Sequence, residues 1–259
     1  MPGRNWTLKK LVRWAARVFG RTLSRSALRR LLRRADLTWK KVKKILGRAD
    51  PAKRVAHVAW LAGILEGVRD GEVQLIYIDQ SHFHRDMDLG YAWGRKGKRI
   101  WRRSDCPGLS ERINWYGAYD HSTGQCLIWH EGNCRGEATC EFLRRVKAWR
   151  AGQPGRLVVV WDNAPCQRAV AVQREAGLLG IDLMYLPGYS PDLNPIERLW
   201  DWMREEVTRG HCHATLDELG DACEAFIRRI NQNPIAVVDR LWPKLNLDPE
   251  YEAKLSLSA

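Results

Sequence analysis

Leu157-Val158-Val159-Val160-Trp161-Asp162-Asn163-Ala164 decides the fold of this 259-residue chain. Five apolar residues in a row, closed by Asp-Asn and Pro165, read as a short strand buried on both faces, because such a run has no polar side to give to water. A strand of that kind needs helices above and below its sheet. A carboxylate at its end sits at the rim, where α/β proteins bind their ligands. Leu75-Ile76-Tyr77-Ile78-Asp79-Gln80-Ser81 repeats the pattern upstream, and puts Asp79 at the end of a second buried strand. Working outward, the sequence predicts strands over 73–79, 113–120, 125–130, 157–162 and 181–186. Helices are predicted over 136–150, 166–178, 195–208 and 215–231. Three strands in succession, then alternating helices and strands, predict a mixed α/β sheet flanked by helices.

The basic charge is concentrated at one end. Residues 1–54 hold 18 Lys/Arg against 2 Asp/Glu, so the remainder of the chain is slightly acidic and the net +13 comes entirely from this segment. Such a bias is an electrostatic footprint for a polyanion, because each neutralised phosphate releases condensed counterions. Leu8, Leu11, Val12, Ala15 and Val18 recur at helical spacing behind Thr7, a fitting cap. Gly20 breaks that helix, and Ser24 caps a second one built on Ala27, Leu28, Leu31 and Leu32. Arg25, Arg29, Arg30, Arg33 and Arg34 crowd its other faces, as in the recognition helix of a helix-turn-helix. Lys40, Lys41, Lys43 and Lys44 follow in a stretch suited to a wing or linker lying over phosphates. The expected organisation is a helix-turn-helix DNA-binding segment over 1–50, a helical linker over 51–72, an α/β domain over 73–235 and a C-terminal tail over 236–259.

With 45% hydrophobic and 28% charged residues the chain has the make-up of a globular protein. No window approaches the roughly 20 apolar residues of a membrane span, and the basic amino terminus lacks the apolar core of a signal peptide. A cytoplasmic location and no membrane partner are therefore expected. Seven cysteines without a C-x-x-C pair fit reduced thiols. His211-Cys212-His213 raises the question of zinc, but adjacent residues do not easily share one tetrahedral site.

A third carboxylate completes a set. Glu197 closes Tyr189-Ser190-Pro191-Asp192-Leu193-Asn194-Pro195-Ile196-Glu197. Asn194, Pro195 and Glu197 also fit a capping box, with Asn194 as N-cap and Pro195 in the first helical position. The constrained loop before them suits delivery of Glu197 to one place. Three converging carboxylates repel one another, so a divalent cation is their natural counter-charge, and oxygen ligands favour Mg²⁺ or Mn²⁺. Two such ions serve phosphoryl transfer without a covalent intermediate.

At these residues the chain resembles the Asp-Asp-Glu transposases, in the bacterial insertion-sequence 630 branch of the Tc/mariner superfamily. Asp162 and Glu197 are separated by 34 residues, the spacing of that branch. Asp162-Asn163-Ala164 and the Tyr189–Glu197 block look like its signatures, and Asp79-Gln80-Ser81 followed by Gly90-Tyr91-Ala92-Trp93-Gly94-Arg95-Lys96-Gly97 looks like its first block. The resemblance implies a ribonuclease-H-like fold, with Asp79, Asp162 and Glu197 as catalytic metal ligands and Gln80, Asn163 and Asn194 in positioning roles. It also implies cut-and-paste transposition: cleavage of double-stranded DNA at terminal inverted repeats and strand transfer into TA target DNA, by a homodimer on DNA in the bacterial nucleoid. A same-fold nuclease that does not join ends, and a DNA-binding remnant, are the alternatives. Gln80 stands where the family often has Glu, and Gln167 where it often has His. One helix-turn-helix is visible where relatives usually carry two.

Of the tryptophans, Trp115, Trp129, Trp161, Trp200 and Trp202 are expected in the core. Trp93 and Trp101, set among Arg95, Lys96, Lys98, Arg99, Arg102 and Arg103, suit an insertion that touches DNA or a second subunit. His82, three residues past Asp79, is a further candidate for test.

Overall fold

Strand β1 (Val73–His84) is the axis of the molecule. The structure, a computed structural model, describes residues 6–39, 48–93, 95, 99–130, 136–164 and 167–256. Around β1 lie β2 (Arg112–Asp120), β3 (Gln125–His130), β4 (Arg156–Trp161) and β5 (Ile181–Tyr185), in the order β3-β2-β1-β4-β5. β1 pairs antiparallel with β2, and β2 with β3, while β1–β4 and β4–β5 are parallel. This is the mixed sheet that the sequence predicts, in the ribonuclease-H-like fold that the family resemblance implies.

Alternation along the strands splits the core in two. Leu75 and Tyr77 of β1 with Val158 and Val160 of β4 face one side. There they meet Leu61 and Ile64 of α3 (Pro51–Arg69), Leu199 and Trp200 of α6 (Glu197–Met203), and Leu219, Cys223 and Phe226 of α7 (Leu216–Ile230). Ile76, Ile78, Val159 and Trp161 face the other side, against Phe142 and Leu143 of α4 (Gly136–Trp149) and Val172 of α5 (Val170–Leu179). Two helices lie beyond the predicted ones: α8 (Pro234–Arg240), which begins two residues before the expected tail, and α9 (Pro249–Ser256) within it.

One strand is longer than its sequence suggests. β1 continues five residues past Asp79, so this carboxylate is not at a strand end. Parallel pairing with β4 stops at Tyr77↔Val160, whereas pairing with β2 continues to His84↔Arg112. Asp79 and Asp162 each stand two residues beyond that last parallel pair, so both still emerge at the rim of the parallel half. The predicted helix over 195–208 is also divided: α6 ends at Met203, and Arg204–Thr208 form a π-turn.

The chain divides into two compact units, Met1–Lys44 and Ile45–Ala259. In the first, Thr7 accepts from the Lys10 amide at 3.3 Å and starts α1 (Leu8–Phe19), which Gly20 ends in the left-handed conformation at φ 62°. Ser24 caps α2 (Arg25–Arg34), accepting from the Ala27 amide at 3.1 Å. Among the described residues no helix is long and apolar enough to cross a membrane.

Candidate active site

The side chains of Asp79, Asp162 and Glu197 line one cleft of about 360 Å³, closed on its far side by the 186–194 loop. The two aspartates reach it from the sheet, and Glu197 from the first turn of α6. The face is the one that carries Tyr77, Val160 and Trp200, because odd positions of β1 and even positions of β4 point the same way.

Each carboxylate is held differently. Asp79 is 8% exposed and accepts from the indole Nε1 of Trp200 at 3.1 Å. Burial, with Glu197 and Asp162 close by, pushes its carboxyl up to about 7, against hydrogen bonds from the Gln80 amide and Trp200. Asp162 is exposed, and its Oδ1 accepts from the Ala164 amide at 3.0 Å. Glu197 is half-buried. Burial first, then Asp201 and Asp162, raise its carboxyl above the usual range, while Arg204 opposes them.

Trp200 reaches Asp79 only because Gly117 stands opposite it in β2. A Cβ at Gly117 would lie 2.4 Å from the indole Cη2, well inside contact distance. Sequence reasoning places Trp200 in the core and misses this hydrogen bond. The available signal is its position three residues after Glu197, on the same face of a helix.

The loop before Glu197 is built to stay in place. Tyr189 has φ 57°, a conformation that side chains other than glycine rarely adopt. Its hydroxyl accepts from Arg48 at 3.0 Å. A short 3₁₀ turn, Pro191–Leu193, follows. Asp192 in this turn forms a bidentate pair with Arg54 of α3, at 2.9 and 3.0 Å, and also pairs with Lys244 at 2.8 Å. Burial works the other way, yet hydrogen bonds from Arg54 and Lys244 bring the Asp192 carboxyl down to about 2. The Arg54 side chain is wholly enclosed and also holds Glu252 of α9, at 2.8 Å. No sequence pattern announced this clamp.

The predicted positioning residues part company. Asn163 lines the cleft and donates from Nδ2 to the Leu186 carbonyl, tying the end of β4 to the end of β5. Asn194 lines the cleft too, 4% exposed, with no partner for its Oδ1. It does not cap α6: the residue before Glu197 is Ile196, helical and without a side-chain cap, so the capping-box alternative does not form. The Glu197 amide donates to the backbone carbonyl of Asn194, at 3.2 Å, and not to its side chain. Gln80 belongs to the opposite face of β1 and touches Asp79 through its backbone amide. His82 shares that opposite face and is exposed.

Among the DNA-binding candidates, Arg25, Arg29, Arg30, Arg33 and Arg34 lie on α2, with Leu28 the buried residue of that helix. Lys40, Lys41, Lys43 and Lys44 lie outside the described residues. Trp115, Trp161 and Trp200 are buried, whereas Trp93 and Trp101 are 103% and 79% exposed.

Two family models match the chain. The family described as DDE superfamily endonuclease matches residues 74–220, and the winged helix-turn-helix family matches residues 2–58. The insertion element IS630 uncharacterized 39 kDa protein of Shigella sonnei is 26% identical over 236 residues, covering 88% of this chain and 66% of that protein. The Tc1 transposase of Caenorhabditis elegans is 26% identical over 242 residues, covering 84% of this chain and 81% of that protein. The chain thus spans just under two thirds of the length of the first relative. Among solved structures, the Mos1 mariner paired end complex with Mn superposes with a TM-score of 0.65 at 14% identity, over 100% of this chain and 80% of that one. With the endonuclease family matching more than half of its length, and with that fold, this chain belongs to the DDE superfamily of endonucleases.

Proposed function

We propose that this chain is a DNA transposase of the Tc1/mariner/IS630 type, which cuts double-stranded DNA at the inverted repeats of its element and joins the 3′-hydroxyl ends to TA target sites. One observation carries the reading: Asp79 of β1, Asp162 just past the end of β4 and Glu197 of α6 share one cleft. The relatives' names support the transposase assignment, and the helix-turn-helix family match with the basic α2 supports DNA binding. We read residues 1–50 as the DNA-binding segment, 51–72 as a linker, 73–235 as the catalytic domain and 236–259 as the tail, acting as a homodimer on DNA.

The donor set fits divalent cations of the Mg²⁺ or Mn²⁺ kind, two in our reading. All three ligands are hard carboxylate oxygens, and burial with Glu197 and Asp162 close by raises the Asp79 carboxyl, a cost that a bound divalent cation would relieve. Such ions, when bound by Asp79, Asp162 and Glu197, supply Lewis acidity toward the scissile phosphate and its attacking hydroxyl. The chain's own part is positional. Trp200 fixes one oxygen of Asp79, the Ala164 amide fixes one of Asp162, and the Arg54–Asp192 pair anchors the loop that leads to Glu197. Holding reacting groups in place in this way lowers the entropic part of the barrier.

Nicking of supercoiled plasmid with Mn²⁺, comparing the wild type with Asp162→Ala, is the test. Activity in the wild type alone supports the catalytic assignment, and joining of pre-cut ends to target DNA then separates a transposase from a plain nuclease. Equal nicking by both proteins, or none from folded, DNA-bound wild type, refutes the assignment.

A further inference from the structure

His211-Cys212-His213 does not act as one unit. Cys212 turns one way, its Sγ 2.7 Å from that of Cys106 and 3.9 Å from Asp86 Oδ1. His211 and His213 turn the other way, their ring centroids 4.5 Å apart, and together with Glu218 they bring three donor atoms within 4.8 Å of one another. Alternation along the backbone thus removes the objection that neighbouring residues cannot serve one site.

The His213 side chain is only 3% exposed. Its Nε2 is 3.0 Å from the Val207 carbonyl, and since a carbonyl only accepts, Nε2 carries a proton. In the neutral ring Nδ1 therefore holds a lone pair, and this buried atom has no hydrogen-bond partner. Glu218 Oε1, another acceptor, stands 3.8 Å from it. Glu218 is itself fixed: its Oε2 accepts from the Ala214 amide at 2.7 Å, and its own amide donates to Thr215, the N-cap of α7. Two immobilised acceptors facing each other is an unfavourable arrangement unless a cation lies between them.

We propose that His211, His213 through Nδ1, and Glu218 bind a zinc-like divalent transition-metal ion, at a site separate from the carboxylate cleft. Two imidazoles and a carboxylate suit zinc and leave a fourth position for water. A backbone carbonyl holding the far N–H of a ligating histidine is the usual support for such a ligand. Donors about 2.1 Å from a tetrahedral ion stand about 3.4 Å apart, so the 3.8 Å gap between His213 and Glu218 needs only slight closure. A cavity of about 450 Å³ opens beside the three side chains and gives access. The Val207 carbonyl that fixes His213 belongs to the π-turn continuing α6, so the ion ties the end of that helix to the start of α7.

The probe is zinc alone, titrated calorimetrically into the full chain in excess Mg²⁺, which occupies the carboxylate cleft. A Cys106→Ser/Cys212→Ser background removes the neighbouring thiols. The expected result is a single zinc ion per chain, not displaced by Mg²⁺, with affinity reduced at least about tenfold in His211→Ala and in Glu218→Gln. Both residues are exposed, so folding is not at stake. Unchanged zinc binding in both variants overturns the site. So does a His213 ring found doubly protonated by NMR in saturating zinc, which makes the contact an ordinary His213–Glu218 ion pair.

Discussion

Asp79 couples the candidate chemistry to the stability of the fold. A proton that the folded chain holds more tightly than the unfolded one stabilises the fold while it stays bound. This contribution is complete below the ordinary carboxylate range and is lost as pH rises through about 7. In chelator, Asp79→Asn should therefore gain in melting temperature on the wild type between about pH 4 and pH 8, and saturating Mg²⁺ should shrink that gain. Parallel curves for the two proteins at all pH values would contradict it. Gly117 gives a second prediction. An alanine there meets the Trp200 ring, so Gly117→Ala should cost about 1–3 kcal/mol in urea unfolding. Adding Trp200→Phe, which shortens the ring, should recover part of that loss if the indole is the obstacle.

Among the elements, the buried Arg54 joins three pieces: α3, the loop leading to Glu197, and α9. Arg54→Met leaves Asp192, which is partly exposed, with Lys244 as its remaining cation and takes from Glu252 its bidentate partner, so it should destabilise the chain by about 1–3 kcal/mol in chemical denaturation. Glu252→Gln, which leaves the pair with Asp192 intact, should cost less. The strands were legible in the sequence because buried β-strands are continuous apolar runs, and α1 and α2 because Thr7 and Ser24 are local caps. The cleft carboxylates were legible because each closes such a run or a constrained loop. What escaped depends on distance. Arg54 meets Asp192 across 138 residues and Glu252 across 198, and no local spacing records such a pairing. The extension of β1 past Asp79 escaped because it rests on β2 alone, and His82 and His84 there do not look like a buried run.

Across the whole molecule, basic charge and carboxylate cleft belong to different compact units. Residues 45–259 contain both hydrophobic cores and all three carboxylates. That fragment should therefore fold, and retain Mn²⁺-dependent nicking, while losing most of the salt dependence of DNA binding. The measurement is the slope of log K against log salt, which becomes shallower by about 0.9 for each phosphate the protein no longer neutralises. An unchanged slope would place the DNA-binding surface elsewhere. The Arg54 clamp also bears on synthesis. A chain leaving the ribosome has Asp79 and Asp162 in hand long before Glu252 emerges, and until then Arg54 lacks its second carboxylate. The loop leading to Glu197 is thus fully anchored only once α9 has been made, well after Glu197 itself.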